Sequence, residues 1–210
     1  RGPNRAWKTL ERVNRHVFEP GERLLFRAGT RYRGRLKPQG SGAAGEPVVL
    51  GCYGDGPRPR IDGMGKTRST LYLHNVEHWV VQDLEITNTG RQREAGRLGL
   101  YVHIKDFGTA HHIHLRRLHV HDVNGSNVKK KGGGRGIFWQ NEGEKTKSRF
   151  HDLRIENCHL ERTDRDGIKG RGYHHRDKWH PSTGVVVRGN LLEDIGGDAI
   201  VPLGCDGALV

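Results

Sequence analysis

The feature that most constrains this chain is an internal repeat. Four segments align without internal gaps, beginning at Gln82, Arg116, Glu156 and Arg188. Anchored on Ile86, Val120, Leu160 and Leu192, they step by 34, 40 and 32 residues. A second signal, a small residue followed by an apolar one, comes after each anchor: Gly99-Leu100, Gly136-Ile137, Gly167-Ile168 and Ala199-Ile200, stepping by 37, 31 and 32. Each copy holds short strand patterns, a turn rich in Asn, Asp and Gly, and an insertion of variable length. No single copy buries its apolar face alone, so the copies must stack into one continuous core.

The rungs exceed the ~20–29 residues of a leucine-rich repeat and lack its leucine spacing. They also lack helical periodicity, which excludes helical arrays. A parallel β-helix coil of three short strands and three turns fits, with the extra length in loops on one side. Asn157 and Asn190, one position apart in the alignment, sit where asparagines hydrogen-bond between coils. The N-terminal segment reads differently. Ala6, Leu10, Val13 and Val17 share one helical face, Asn4 stands as N-cap, and Pro20-Gly21 stops the pattern. A helix over 4–20 is expected to plug the open end of the stack, whose backbone edge otherwise invites aggregation. Residues 23–210 form the coils, in one domain over 1–210. No equivalent plug is legible at the other end. The chain stops at Gly207-Ala-Leu-Val within a strand pattern, as expected of a fragment or of an end that packs on another chain.

Pro20-Gly-Glu-Arg-Leu-Leu-Phe-Arg-Ala-Gly-Thr, then Gly-Ser-Gly-Ala-Ala-Gly-Glu-Pro-Val-Val-Leu, then Ile61-Asp-Gly, resembles the opening of right-handed parallel β-helix proteins of the pectate-lyase-like superfamily. The later stretch from Arg188 to Ile200, and Gly204-Cys-Asp-Gly-Ala-Leu-Val, are similar to bacterial members of that group. The resemblance covers nearly the whole chain. It implies an all-β, right-handed, single-stranded parallel solenoid. For reaction it leaves lyases, hydrolases, epimerases and phage tailspikes open.

Composition narrows the partner. Lys and Arg number 36 against 24 Asp and Glu, a formal net charge of +12, which attracts polyanions. No run approaches the ~18 apolar residues of a membrane helix, so no membrane partner is expected. Glycine, at 31 of 210 residues, does not recur every third position, which excludes collagen. No RRM, HTH, KH or zinc-finger pattern supports nucleic-acid binding. Cys52, Cys158 and Cys205 form no zinc pattern and read as buried small apolar residues. The Gly65-Lys66-Thr67 triplet lacks the glycine a phosphate loop needs five residues earlier, where Arg60 stands.

The leading catalytic candidates are the repeat equivalents Asp166 and Asp198, 32 residues apart. On adjacent coils their backbones stack ~4.8 Å apart. Two carboxylates that close repel, so one holds a proton near neutrality, the split that glycoside hydrolysis needs. Separations of ~5–5.5 Å favour retention and ~6.5–9.5 Å inversion. Asp206 is expected to assist from the next strand. The resemblance agrees, since clustered aspartates carry the chemistry in hydrolases of this superfamily. The competing reading is that Asp before Gly is ordinary turn chemistry.

A second set lies at the same place, where Lys169 and Arg171 follow Ile168. Lyases of this fold need a base for the proton α to a uronate carboxylate and a cation to neutralise that carboxylate. Lys169 suits the first role and Arg171 the second, with Tyr173, His174 or His175 returning the proton. The bland alternative is a solvated basic loop. The basic insertion running from Lys129 to Arg135 offers cations for a sugar carboxylate or sulfate. Trp139, with Trp79 and Trp179, offers a ring for sugar stacking or for core packing.

His111, His112, His114, His119 and His121 invite a metal reading, but no carboxylate stands at metal spacing beside them except Asp122 on the opposite face. No metal or other cofactor is expected; the one cation weighed above zinc is Ca²⁺, on Asp164, Asp166 and Glu161 or Asp198, as several pectate lyases use. The expected function is cleavage of glycosidic bonds in a polysaccharide, acidic in keeping with the charge, by paired carboxylates in a groove walled by residues 91–98, 127–135 and 170–183. β-Elimination of a uronate polymer and non-catalytic glycan binding are the alternatives. The expected location is secreted or periplasmic.

Overall fold

The computed structural model describes residues 6–128, 130 and 132–210. Its strands stack in three parallel sheets, and each coil visits the three in turn. A six-stranded sheet is formed by β3 (Arg31–Arg33), β6 (Arg60–Asp62), β9 (Glu85–Asn88), β12 (His119–Val123), β15 (His159–Thr163) and β19 (Leu191–Ile195). A five-stranded sheet follows, from β7 (Ser69–His74), β10 (Leu98–Lys105), β13 (Arg135–Glu142), β16 (Asp166–Arg171) and β20 (Ile200–Pro202). An eight-stranded sheet takes β2 (Arg23–Arg27), β5 (Val48–Tyr53), β8 (Trp79–Gln82), β11 (Thr109–Arg116), β14 (Arg149–Glu156), β17 (Ser182–Thr183) and β21 (Cys205–Asp206), with β18 (Val186–Arg188) beside β14. The all-β parallel solenoid read from the repeat is the architecture found.

The sequence anchors are register columns of this stack. Ile61, Ile86, Val120, Leu160 and Leu192 lie above one another in the six-stranded sheet. Leu71, Leu100, Ile137, Ile168 and Ile200 do so in the five-stranded one. Successive strand residues face opposite sides, so these columns point inward, and most of these residues are fully buried. Each such side chain contributes roughly 1.5–3 kcal/mol by leaving water.

The small residue before each apolar anchor has a steric cause. A Cβ on Gly136 would stand 2.7 Å from Leu160 Cδ2 and 2.8 Å from the Gly167 carbonyl oxygen of the next coil. Turn positions repeat too: Asp83, Arg117, Asn157 and Gly189 all have left-handed backbone, with φ of 57°, 51°, 53° and 62°. Asn190 links coils as expected, accepting from Cys158 N and donating to Ile155 O, both at 2.9 Å.

The N-terminal cap is shorter than its pattern suggests. Asn4 lies outside the described residues, and α1 runs only over Leu10–Asn14, capped by Thr9, whose Oγ1 accepts from Arg12 N at 3.3 Å. Leu10 and Val13 join the core. Val17 does not: it opens β1 (Val17–Phe18), is 60% exposed, and leaves the inward place to Phe18. The physical reason is a competing tether. Asn14 accepts from Lys37 N at 2.7 Å and donates to Arg35 O at 2.9 Å. The chain then pairs with β4 (Gln39–Gly40) instead of continuing as helix.

Candidate functional site

The outer face of the five-stranded sheet collects most of the residues singled out from the sequence. Because Leu71, Leu100, Ile137 and Ile168 point inward, the next residue of each strand points out. Tyr72, Tyr101, Phe138 and Lys169 therefore form an outer column. The rings stack, with centroids 5.1 Å apart for Tyr72–Tyr101 and 5.2 Å for Tyr101–Phe138. Cations cover them: Arg35 lies 4.6 Å above the Tyr72 ring, Arg68 5.4 Å above Tyr101 and Arg135 4.6 Å above Phe138.

A second outer column, His74, His103, Gln140 and Arg171, runs alongside. Burial holds His103 below the usual imidazole range, so it is neutral near pH 7. Its Nε2–H donates to Glu142 Oε1 at 3.0 Å, and its Nδ1 accepts from the Tyr72 hydroxyl at 3.0 Å. Gln140 donates to Glu142 Oε2 at 2.9 Å and accepts from the Tyr101 hydroxyl at 2.9 Å. Burial raises both phenols above their ordinary range. Four polar side chains, His103 and Gln140 directly and Tyr72 and Tyr101 behind them, thus fix the half-exposed Glu142 carboxylate.

The acidic edge lies at the other end of these strands. Asp166 and Asp198 are coil equivalents, as the repeat requires, but their surroundings differ. Asp166 is fully buried; its Oδ2 accepts from Arg135 Nε at 2.9 Å and lies 3.1 Å from Lys169 Nζ. Asp198 is 45% exposed in its side chain and accepts from Arg165 Nη2 at 3.0 Å. Arg165 also comes within 3.9 Å of Asp166 Oδ1, so it stands between the two carboxylates. Asp164, two residues before Asp166, is mostly buried beside Arg93 at 3.4 Å, and burial pushes its carboxyl above the usual range.

The remaining candidates fall in three places. Tyr173 donates to Gly143 O at 3.0 Å, which ties the loop after β16 to the Glu142 end of the face. His174 and His175 lie exposed in that loop with their rings 4.3 Å apart. Asp206 belongs to another sheet, where it pairs in register with Thr183 on β17, so it does not join Asp198 on one face. Trp139 is a core residue: it is fully buried, its ring fills the space where Gly170 has no Cβ, and it offers no face to a sugar. Its inward position is fixed by strand alternation from Phe138. Lys129 lies outside the described residues. The expected walls are layered as loops: Gly96 N donates to Gly132 O, and Arg97 donates to Asn124 O at 2.6 Å.

Among the described residues, the carboxylates weighed for Ca²⁺ do not converge on one point. Asp164, Asp166 and Asp198 face arginines or Lys169, and Glu161 lies on the six-stranded sheet against His119 and Arg162. The histidines fare differently from their sequence reading. Neighbouring coils supply the carboxylates missing from their own strands: Asp152 for His112 and His114, Glu85 for His121, Glu161 for His119.

Sequence reasoning does not reach Tyr72, Tyr101, Phe138, His103, Gln140 or Glu142. A signal was present, because Tyr101, Phe138 and Lys169 each directly follow the small–apolar pair of their repeat.

No family model matches the chain. It is 24% identical over 285 aligned residues to a lacto-N-biosidase of Bifidobacterium longum, covering 97% of this chain and 18% of that protein. It superposes on the crystal structure of a GH136 lacto-N-biosidase from Eubacterium ramulus with a TM-score of 0.83 and 25% identity, covering 96% of this chain and 40% of the other. A selenomethionine form of the same enzyme gives a TM-score of 0.80 and 24% identity. The chain therefore spans less than half of each of these relatives, and what it shares with them is the β-helix almost from end to end.

Proposed function

We propose that this chain is part of a glycoside hydrolase, with its glycan lying along the outer face of the five-stranded sheet. The observation that carries this reading is the likeness to lacto-N-biosidases over nearly the whole chain, joined to a face that holds carboxylates of opposite character. Asp198 is exposed and held by Arg165, as suits an ionised base or nucleophile. Asp164 is mostly buried with its proton affinity raised, as suits a general acid. Asp166, behind them, is a positioning residue that orients Arg135 and Lys169. Glu142 and the Tyr–His–Gln network would bind sugar hydroxyls at the far end.

The basic residues over this face favour an acidic glycan, whereas the relatives' names indicate a lacto-N-bioside. We further read the chain as a member of the pectate-lyase-like superfamily, on its opening motif, and as acting outside the cytoplasm, where such glycans are met. Elimination by Lys169 is less favoured, because its ammonium is engaged 3.1 Å from Asp166.

The test is a digest of a chromogenic lacto-N-bioside and of a polyuronate by the intact chain, by Asp198→Asn and by Asp164→Asn. Release of reducing ends that disappears in both variants supports hydrolysis. Reducing ends accompanied by an unsaturated-uronate chromophore would move the chemistry to elimination. Cleavage untouched by both substitutions would place the reaction elsewhere, and saturable glycan binding without cleavage would leave a binding scaffold.

A further inference from the structure

The eight-stranded sheet carries on its outer side a depression of about 520 Å³, lined in part by His78, His111, His112, His151, Asp152 and Arg154. A backbone device makes it. His78, His112, Asp152 and Gly184 are coil equivalents, and all four have left-handed backbone, with φ of 53°, 53°, 61° and 61°. The pairs His111–His151 and Ile113–Leu153 are in register on either side of the kink. In an ordinary strand alternation would send His112 inward with Ala110, or His111 inward with Ile113. The kink inserts an extra outward position instead, so Ala110, Ile113 and Leu115 are buried while His111, His112 and His114 all reach the outer side. Left-handed backbone is costly for residues other than Gly, and here it recurs coil after coil at the depression.

Two of these imidazoles converge on a single oxygen. His112 Nδ1 lies 3.0 Å and His114 Nε2 2.9 Å from Asp152 Oδ2, with the two rings 3.8 Å apart. The three ligating atoms all lie within 4.8 Å of one another. Around a tetrahedral ion with ligands at ~2.0–2.2 Å, neighbouring donor atoms stand roughly 3.3 Å apart, so a small outward breathing of this triangle admits one. Arg154 occupies the other oxygen, donating from Nε to Asp152 Oδ1 at 2.6 Å. That is the carboxylate support usual behind a metal ligand. Among the described residues three other groups are less suited. Beside the same depression, His78 Nε2 stands 3.9 Å from Glu77 Oε2, which already accepts from His111 N. The other two are on the six-stranded sheet. Glu85 offers His121 the same oxygen that Arg60 holds, and His119 is divided between Glu85 and Glu161.

We propose that His112, His114 and Asp152 form a site for a divalent transition-metal ion of the zinc type, with its fourth position open to the depression. Two imidazoles and one carboxylate suit such an ion better than Ca²⁺ or Mg²⁺, which take oxygen-rich shells. The site is on a different sheet from the glycan face and does not rest on the hydrolase reading.

The test reads metal directly. The chelator-stripped intact chain is titrated with Zn²⁺ by calorimetry and with Co²⁺ by visible absorption. One equivalent is expected, with a low-coordinate Co²⁺ spectrum. His112→Ala and His114→Gln should each weaken binding at least about tenfold, the least seen when even the support of a metal ligand is removed. His151→Ala, which lines the depression without meeting Asp152, should leave affinity unchanged. Far-UV circular dichroism of each variant checks the coil. Absence of saturable binding overturns the proposal, as does affinity that survives a folded His112→Ala/His114→Gln double variant. Loss of binding in His119→Ala/His121→Ala with the first pair intact overturns it as well.

Discussion

Replacing Asp166 by Ala removes the only fully buried carboxylate among the described ion pairs and leaves two cations facing one another. Asp166 is 0% exposed, while the side chains of Arg135 and Lys169 keep 16% and 18% of their surface. Breaking a buried pair from one side costs about 3–5 kcal/mol, because the remaining charge keeps its desolvation penalty without its partner. Since roughly a sixth of each cation still meets water, the lower end applies, about 3 kcal/mol. For a domain of this size ~1 kcal/mol moves the melting temperature by ~2–4 °C, so thermal denaturation of Asp166→Ala should show a fall of about 6–12 °C. Asp166→Asn keeps the volume and an acceptor for Arg135 and should lose about half as much. Arg135→Met made on top of Asp166→Ala should restore part of the loss, because it removes an uncompensated cation. A fall under about 2 °C in Asp166→Ala, or strict additivity in the double variant, would refute the view that these charges depend on one another.

Three further outcomes are expected. Gly136→Ala drives a methyl group against Leu160 and the Gly167 carbonyl at 2.7 and 2.8 Å; overpacking of this kind should cost about 1–3 kcal/mol by chemical denaturation. Trp139→Ala should cost about 3–5 kcal/mol as a core truncation, while the folded fraction keeps any glycan affinity; loss of affinity at unchanged stability would restore a sugar-stacking role. The Arg162 guanidinium beside Asp122 holds its carboxyl down at about 2, against an ordinary 3.8. Its stabilising contribution is therefore present above pH ~4 and lost as pH falls through about 2. Asp122→Asn should flatten the stability profile between roughly pH 5 and 2, and an unchanged slope there would contradict the pairing.

The parts of this molecule legible in its sequence are those that repeat along it. Ile86, Val120, Leu160 and Leu192 share one environment four times over, so their spacing alone reveals a stack and its inward columns. The glycines at 99, 136 and 167 are legible for the same reason, because each meets the carbonyl of the next coil. The cap misleads because Ala6 to Val17 has helical spacing throughout, while Asn14 is held from Arg35 and Lys37, more than twenty residues away. Trp139 misleads because a ring near a turn looks the same in sequence whether it faces sugar or core. Its side is decided by the parity of its strand.

The candidate site divides along the same line. That Asp166 and Asp198 are equivalent follows from a 32-residue step. That one is sealed beneath Arg135 and Lys169 while the other stands in solvent with Arg165 does not, since Arg135 comes from the coil before. His103 with Glu142, and His112 with Asp152, likewise join residues 39 and 40 positions apart. Insertions of unequal length separate the repeats, so outer side chains away from the small–apolar pairs, unlike Tyr101, Phe138 and Lys169, are not aligned between coils by spacing. The order of strands and the inward faces were determined by the sequence itself, through a periodic demand for burial that every coil states locally. Which charges, rings and imidazoles meet on the outer faces was decided only by the tertiary structure, because parallel stacking brings coils within hydrogen-bonding reach and its register is a property of the assembled stack.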